Sequence, residues 1–476
     1  MRHQSVPPLR RRMPARIAAR RVTVLVLAWG GATGALLAQN TNAQAPAAQA
    51  PAAQAPQPAG GLQIGSVSAY AVYYSSFSPV GVSASSANLP SDLAAGASIV
   101  IDWTKFTERS SFSLTYTPSY TAYVRNSSLN ALNHALSLTT SRKIAPQWTF
   151  SFSAGGNLSS VQQSLFTPST LSNVASASST FSDLSAAVLS GNFANNPQLG
   201  AILTSSPLAV SPLSNLFYGQ RMFTASARVS LGYSYSPRLS VTFSGGGARS
   251  QHVEDQALGA GNNTVIPNTT SGDASVAISY SLSPVTQIGG TVTSNRTSSS
   301  IYDGYTTTSA VNLGRTLGRR WVTQLHGGVG VTNAIRQTLS VVPAKPGPAS
   351  GGSLTYKTLS HTFLGSYDRG VSDSYGLGAS TSSTASAAWH WRRTGSSWGL
   401  DSSFSWQQLQ GSNALANTSG WSTTAGLTRA IGAHVVLLTQ YVHLTYTGGL
   451  LAAAYHYSQD AIRVSIGWTP RLAILR

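Results

Sequence analysis

A closed antiparallel β-barrel of about 18 strands, crossing a membrane as strands, is the fold class that this 476-residue sequence predicts. Three observations predict it. Polarity is carried by hydroxyls and amides instead of charges, apolar and polar residues alternate with period 2 over most of the chain, and no apolar run after the N-terminus is long enough for a helical span.

Hydrophobic residues make up 42% of the chain and charged residues only 9%, where a soluble globular domain carries roughly a quarter charged. With 44 Gly and near-average hydrophobicity, the chain has the apolar content to fold and lacks the charge that keeps a chain disordered. There is no Cys, which excludes a disulfide framework, thiolate metal sites, a Cys nucleophile and a lipoprotein anchor.

Residues 1–45 read as a signal peptide. Arg10, Arg11, Arg12, Arg16, Arg20 and Arg21 precede an apolar run from Val22 to Ala38, followed by small residues. Cleavage fits after Ala38 or Ala45, with Pro46 disfavouring the second, and Met13 is an alternative start. A retained anchor is the weaker reading, because Thr23, Gly30, Gly31, Thr33 and Gly34 leave the run marginal for a spanning helix. This segment holds seven Arg and no acid, so the formal charge of +18 falls to about +11 without it. The remaining Lys and Arg are scattered and many sit at inferred turns, as in Arg142-Lys143, Arg319-Arg320 and Arg392-Arg393, which argues against nucleic acid as a partner. Residues 46–61 repeat Ala-Gln-Ala-Pro and read as a Pro/Ala/Gln-rich periplasmic linker.

Alternation fills the span 62–470. Phe223, Ala225, Ala227, Val229, Leu231, Tyr233 and Tyr235 interleave with Thr224, Ser226, Arg228, Ser230, Gly232 and Ser234. Trp148, Phe150, Phe152 and Ala154 repeat the pattern, as do Val276 to Leu282, Trp398 to Trp406, the set Val436, Leu438, Val442, Leu444 and Tyr446, and Ile462 to Trp468. Turn residues divide the span into eighteen strands from 62–75 to 458–469, with 16 as the main alternative. A longer connection is expected after each odd strand and a tight turn after each even one, which leaves both termini on one side. The Trp residues supply a separate check. Trp103, Trp148, Trp321, Trp391, Trp398 and Trp468 fall near inferred tight turns or the end of the barrel, as an aromatic girdle requires. A secreted β-sandwich would also alternate, but long strands with Trp at their ends are not its habit.

The export signal, the linker, the long alternating strands and the aromatic ends together resemble the porin-like outer-membrane β-barrel proteins of Gram-negative bacteria. The resemblance covers residues 62–470 in architecture, without a short motif that fixes a subfamily. It implies an outer-membrane location with both termini periplasmic, contact with outer-membrane lipid and lipopolysaccharide, and passive diffusion of small hydrophilic solutes. A non-transporting surface-structural or adhesion barrel, binding partners through its outer loops, is the alternative. Barrels of this kind commonly end on an aromatic residue, whereas here Trp468 is followed by Thr-Pro-Arg-Leu-Ala-Ile-Leu-Arg.

Within that frame the candidate sites are few. The connection 160–218 carries the helical patterning, in Phe181, Leu184, Val188 and Leu189 and after Asn196-Pro197, and is read equally as a lumen-folded loop or an outer cap. Arg228, Arg249 and Arg296 are candidate lumen basic residues, and a ring of them would favour anions. The alternatives are pairing with Asp273, Asp303, Asp368 or Asp401, or contact with lipopolysaccharide phosphates at the outer rim. No catalytic, metal or cofactor site is expected, because the His residues show no ligand spacing and Gly327-Gly328-Val329-Gly330 sits in a strand pattern. The linker is far too short for the plug of an energised receptor.

Overall fold

The computed structural model describes residues 61–75, 91–125, 127, 130–160, 221–254, 268–300, 302–318, 320–337, 346–373, 379–392, 395–411, 418–432, 434–450 and 453–468. The expected signal peptide, the linker before Gly61, and the connection 160–218 beyond Ser160 lie outside the described residues.

The strands are β1 (Gly61–Tyr74), β2 (Asp92–Phe106), β3 (Ser110–Tyr123), β4 (Ala131–Ala145), β5 (Trp148–Ser160), β6 (Arg221–Ser234), β7 (Leu239–Glu254), β8 (Thr269–Ser283) and β9 (Thr286–Ser299). They continue as β10 (Tyr302–Leu317), β11 (Trp321–Gln337), β12 (Gly347–Lys357), β13 (His361–Asp373), β14 (Ala379–Arg392), β15 (Trp398–Gly411), β16 (Thr418–Ile431), β17 (Val435–Leu450) and β18 (Ala453–Trp468). Each pairs with its sequence neighbours, and β1 pairs antiparallel with β18, from Val67 opposite Trp468 to Tyr74 opposite Ala461. The sheet is therefore a closed barrel of eighteen strands, as the alternation predicts, and closure leaves no edge to aggregate.

Tight turns follow the even strands. Gly318, Gly395 and Gly432 hold φ of 65°, 80° and 76° in three of them, a left-handed conformation that residues with a Cβ adopt only under strain. The rule for the other end needs correction. Only residues 300–301 separate β9 from β10, and 451–452 separate β17 from β18, so two of the connections expected to be long are as short as the turns. In the second case the ladder runs on until Leu450 pairs with Ala453, well past the last alternating residue. Backbone hydrogen bonds need no side-chain alternation once a strand has left the hydrocarbon zone.

The wall has two unlike faces. Outward stand Leu62, Val67, Trp103, Leu136, Val229, Phe243, Val276, Leu313, Leu325, Val329, Phe404, Ile462 and Ile466, all large and all exposed. Such an apolar belt running round the whole circumference far exceeds what a water-soluble surface carries, and it requires lipid around it. Inward stand mainly Ser, Thr, Asn, Asp and Gly, with a buried apolar group where β17, β18 and β1 to β3 meet. This is the construction of a transmembrane up-and-down barrel.

One strand faces the opposite way from the sequence expectation. In β17 the parity of Leu438, Val442 and Leu444 points inward and is buried, while Leu437, Tyr441 and His443 face out. Both parities of this strand are apolar, so its own pattern cannot fix its side. Pairing decides instead, since Tyr441 stands opposite Ile462 and Val442 opposite Ala461.

Candidate functional site: the lumen wall

The inner face is a lattice of hydroxyls bonded across adjacent strands. Ser68 Oγ lies 2.7 Å from Ser98 Oγ, Ser111 Oγ 3.0 Å from Ser141 Oγ, Ser244 Oγ 2.6 Å from Ser275 Oγ, Ser366 Oγ 2.7 Å from Ser386 Oγ, and Ser405 Oγ 2.9 Å from Ser422 Oγ. Small residues on every second position bring these pairs together, and each pair keeps lone pairs for water or solute.

Three aspartates on this wall meet an arginine or a histidine. Arg228 Nη2 donates to Asp273 Oδ2 at 2.7 Å, although β6 and β8 are not neighbours. The strand between them, β7, contributes Gly246 as the register partner of both. A Cβ on Gly246 would stand 2.9 Å from Ala227 O and 3.2 Å from Asp273 Oδ1, so the bare glycine is what lets the couple close over the middle strand. The same device recurs on β11 to β13, where His326 Nε2 lies 3.0 Å from Asp368 Oδ2 across Gly351. A Cβ there would meet His326 Cε1 at 2.5 Å and Asp368 Oδ2 at 2.9 Å. Nearer the short turns, His390 Nδ1 contacts Asp401 Oδ1, and Thr428 Oγ1 donates to Asp401 Oδ2 at 3.3 Å. Pairing of Arg228 with Asp273 is among the alternatives the sequence offered, whereas His326 and His390 as the partners of Asp368 and Asp401 were missed. In two of the three, the one signal available was a basic residue, a glycine and an aspartate brought level by the register of three strands.

The three candidate lumen arginines separate. Arg228 faces inward. Arg249 is three residues from the inward Gly246 on an unbroken ladder and pairs with Ala225 of the outward parity, so it belongs to the outer face. Gly245, Gly246, Gly247 and Ala248 offer no alternation to read, and register carries the parity of outward Phe243 through them. Arg296 shares the parity of outward Ile288 and is opposite the exposed Tyr305, so it too faces out. There its Nε and Nη2 donate to Asp303 Oδ1 and Oδ2 at 3.1 and 2.9 Å. An anion-favouring ring of these three is thereby overturned.

All six candidate girdle residues lie on the outward parity at the short-turn end. Trp103 packs edge-on against Phe112 at 5.1 Å, Trp148 against Tyr233 at 4.6 Å, and Trp321 against Tyr356 at 4.4 Å between centroids. The Arg429 guanidinium sits 4.7 Å from the Trp398 ring. Trp391 is opposite Leu400, and Trp468 is opposite Val435. Among the described residues no group of three or more His, Asp or Glu side chains could hold a metal ion.

Closed ladder, apolar exterior and hydroxyl interior together define a transmembrane β-barrel with a polar lumen. No protein-family model matches the chain, and no curated protein matches it. Solved structures similar to it include a BenF-like porin from Pseudomonas fluorescens Pf-5, with 7% identity over 86% of this chain and 98% of that one and a TM-score of 0.41. OccK9 (OpdG) of Pseudomonas aeruginosa gives 9% identity over 85% and 98% at a TM-score of 0.41. OpdK of the same organism, solved with vanillate, gives 8% over 85% and 97% at 0.41.

Proposed function

We propose that this protein is a porin-like outer-membrane barrel through which small hydrophilic solutes diffuse passively. Its short turns and both ends of the barrel face the periplasm, and its outer wall meets outer-membrane lipid and lipopolysaccharide, with the six outward Trp residues as the girdle on the periplasmic side. The observation that carries this reading is the inner wall, a hydroxyl lattice in which Arg228 is paired with Asp273 and the His326 and His390 rings each meet an aspartate. Eighteen strands enclose more space than wall side chains fill, so such an interior holds water. A wall lined mainly by hydroxyls discriminates weakly between anions and cations and exchanges hydrogen bonds with neutral polar solutes at little cost. No covalent step belongs to this reading.

The test is conductance of the purified full-length protein in planar bilayers. Stable unitary steps with a reversal potential near zero in a salt gradient are expected. Complete silence from protein shown to be folded would defeat the channel and leave the surface-structural or adhesion barrel.

A further inference from the structure

We infer that Arg249 and Arg296 form a seat on the outer wall for the phosphate-bearing headgroup of an outer-leaflet lipid of the lipopolysaccharide class. The inference rests on the outer-membrane reading above and adds to it a place and a chemistry.

Both arginines lie on the face turned away from the lumen, on β7 and β9, with only β8 between them. Their register partners there are Thr270 and Gly272, two residues apart on the same face. Depth follows from counting. Arg249 is the eleventh residue of β7 from its short-turn end at Leu239, and Arg296 is the eleventh of β9 from Thr286. Tyr120 is likewise eleventh in β3 from Ser110, and Trp421 eleventh in β16 from Ile431. A membrane strand spans about 9–11 residues, so these rings and guanidiniums share the far border of the apolar band, where headgroups begin.

Below that border the same three strands present Phe243, Val276 and Ile288 to lipid. Beside the arginines the wall is bare. Cβ atoms on Gly245, Gly247 and Gly272 would meet only backbone carbonyls at 3.5, 3.4 and 3.7 Å, so wall packing does not demand glycine there, yet their absence leaves the outer surface open between the two cations.

The donors are set for an anion. Asp303 fixes the Arg296 guanidinium through two of its nitrogens, and the third has no partner among the described residues, with the side chain 63% exposed. Arg249 is exposed and its side chain has no hydrogen bond or ion pair among the described residues. A cation on the lipid side of a barrel is costly unless its head reaches an anion at the interface, and phosphate is the oxyanion that planar guanidinium donors match best.

The experiment titrates the detergent-solubilised full chain with lipid A, with dephosphorylated lipid A, and with inorganic phosphate, reading bound mass by native mass spectrometry. Lipid A is expected to bind about fivefold more weakly to Arg249→Gln, and more weakly still to the Arg249→Gln/Arg296→Gln pair. Dephosphorylated lipid should lose a similar factor on the unaltered chain. Arg142→Gln, which removes an outward arginine at the short-turn end, should bind as the unaltered chain does. Equal binding by the double variant, equal binding of dephosphorylated lipid, or displacement by free phosphate overturns the seat. Among the described residues Arg249 has no hydrogen-bond or ion-pair partner to lose, so its variant is expected to keep the fold even if the double variant does not. Conductance of the unaltered chain, measured alongside, separates the two readings, because lipid A binding with no conductance defeats only the channel.

Discussion

The inner wall is built of different material on its two sides. Where the barrel closes, β17, β18 and β1 to β3 contribute Val72, Tyr74, Ala94, Tyr123, Val442 and Ala461, buried as one cluster, with Tyr74 and Tyr123 stacked at 6.2 Å. Arg463 lies in the same region with its guanidinium 4.0 Å from the Tyr70 ring. On the far side, β5 to β9 present Ser151, Ser153, Ser226, Ser230, Ser244, Ser275 and the Arg228–Asp273 couple. The ladders explain the difference. Eight residue pairs join β1 to β18, against thirteen for β1 with β2 and sixteen for β17 with β18, because the stagger of a closed barrel leaves the first half of β1 beyond the end of β18. A short closing ladder gains from apolar packing behind it. The far wall, closed by long ladders, is free to be wet.

Substitution at the closure should therefore cost most. Leu444→Asp places a carboxylate on β17 at a position 1% exposed, opposite Ser422 and Gln459 and with no cation in register, and should destabilise the barrel by about 3 kcal/mol or more. Loss of the heat-resistant folded band on electrophoresis is the expected result. Ser244→Asp on the far wall should keep that band, and equal loss in both would remove the distinction between the two regions. Tyr74→Ala should follow, costing about 3 kcal/mol through the cavity and the lost stack with Tyr123, read as a lowered midpoint in urea.

The far wall should answer in selectivity. Arg228→Gln leaves Asp273 without its cation and should move the reversal potential toward cation preference, while Asp273→Asn frees Arg228 and should move it toward anions. Each shift should be about twofold in permeability ratio, since one charge in a salt-screened aqueous lumen acts at only ~1 kcal/mol near contact. Gly246→Ala forces Asp273 away and should reproduce part of the change with neither charge altered. The corresponding substitution at the closure, Arg463→Gln, should instead register as lost stability, because that guanidinium is buried against Tyr70.

What the sequence made legible follows the same division. Strand number and the outward faces of β6, β8, β15 and β18 were readable because one parity of each is aromatic or aliphatic and the other small and polar. The Trp positions were readable because turn residues adjoin them. Three features were not. The side of β17 was hidden by apolar residues on both parities, the sides of Arg249 and Arg296 by weakly alternating Gly, Ser and Thr around them, and the histidine partners of Asp368 and Asp401 because only strand register brings them level. Pattern within a strand tells two faces apart, but which face a residue joins, and what it meets there, is decided by pairing with strands elsewhere in the sequence.

The smallest expected effect draws the finest line between the regions, because it compares one hydroxyl with another. At the closure, Thr121 is 2% exposed and its Oγ1 is hydrogen-bonded to Tyr70 OH. Thr121→Val keeps the shape and strands the tyrosine hydroxyl where water enters with difficulty, which should cost about 1 kcal/mol. On the far wall Ser244→Ala removes a partner from Ser275 and Arg228, but both face the lumen, where water takes the vacated place, and the cost should stay at or below about 0.5 kcal/mol. Urea midpoints of the two variants measured side by side provide the check. If Ser244→Ala proved as costly as Thr121→Val, the far wall would be as dry as the closure, and a water-filled lumen could not lie against it.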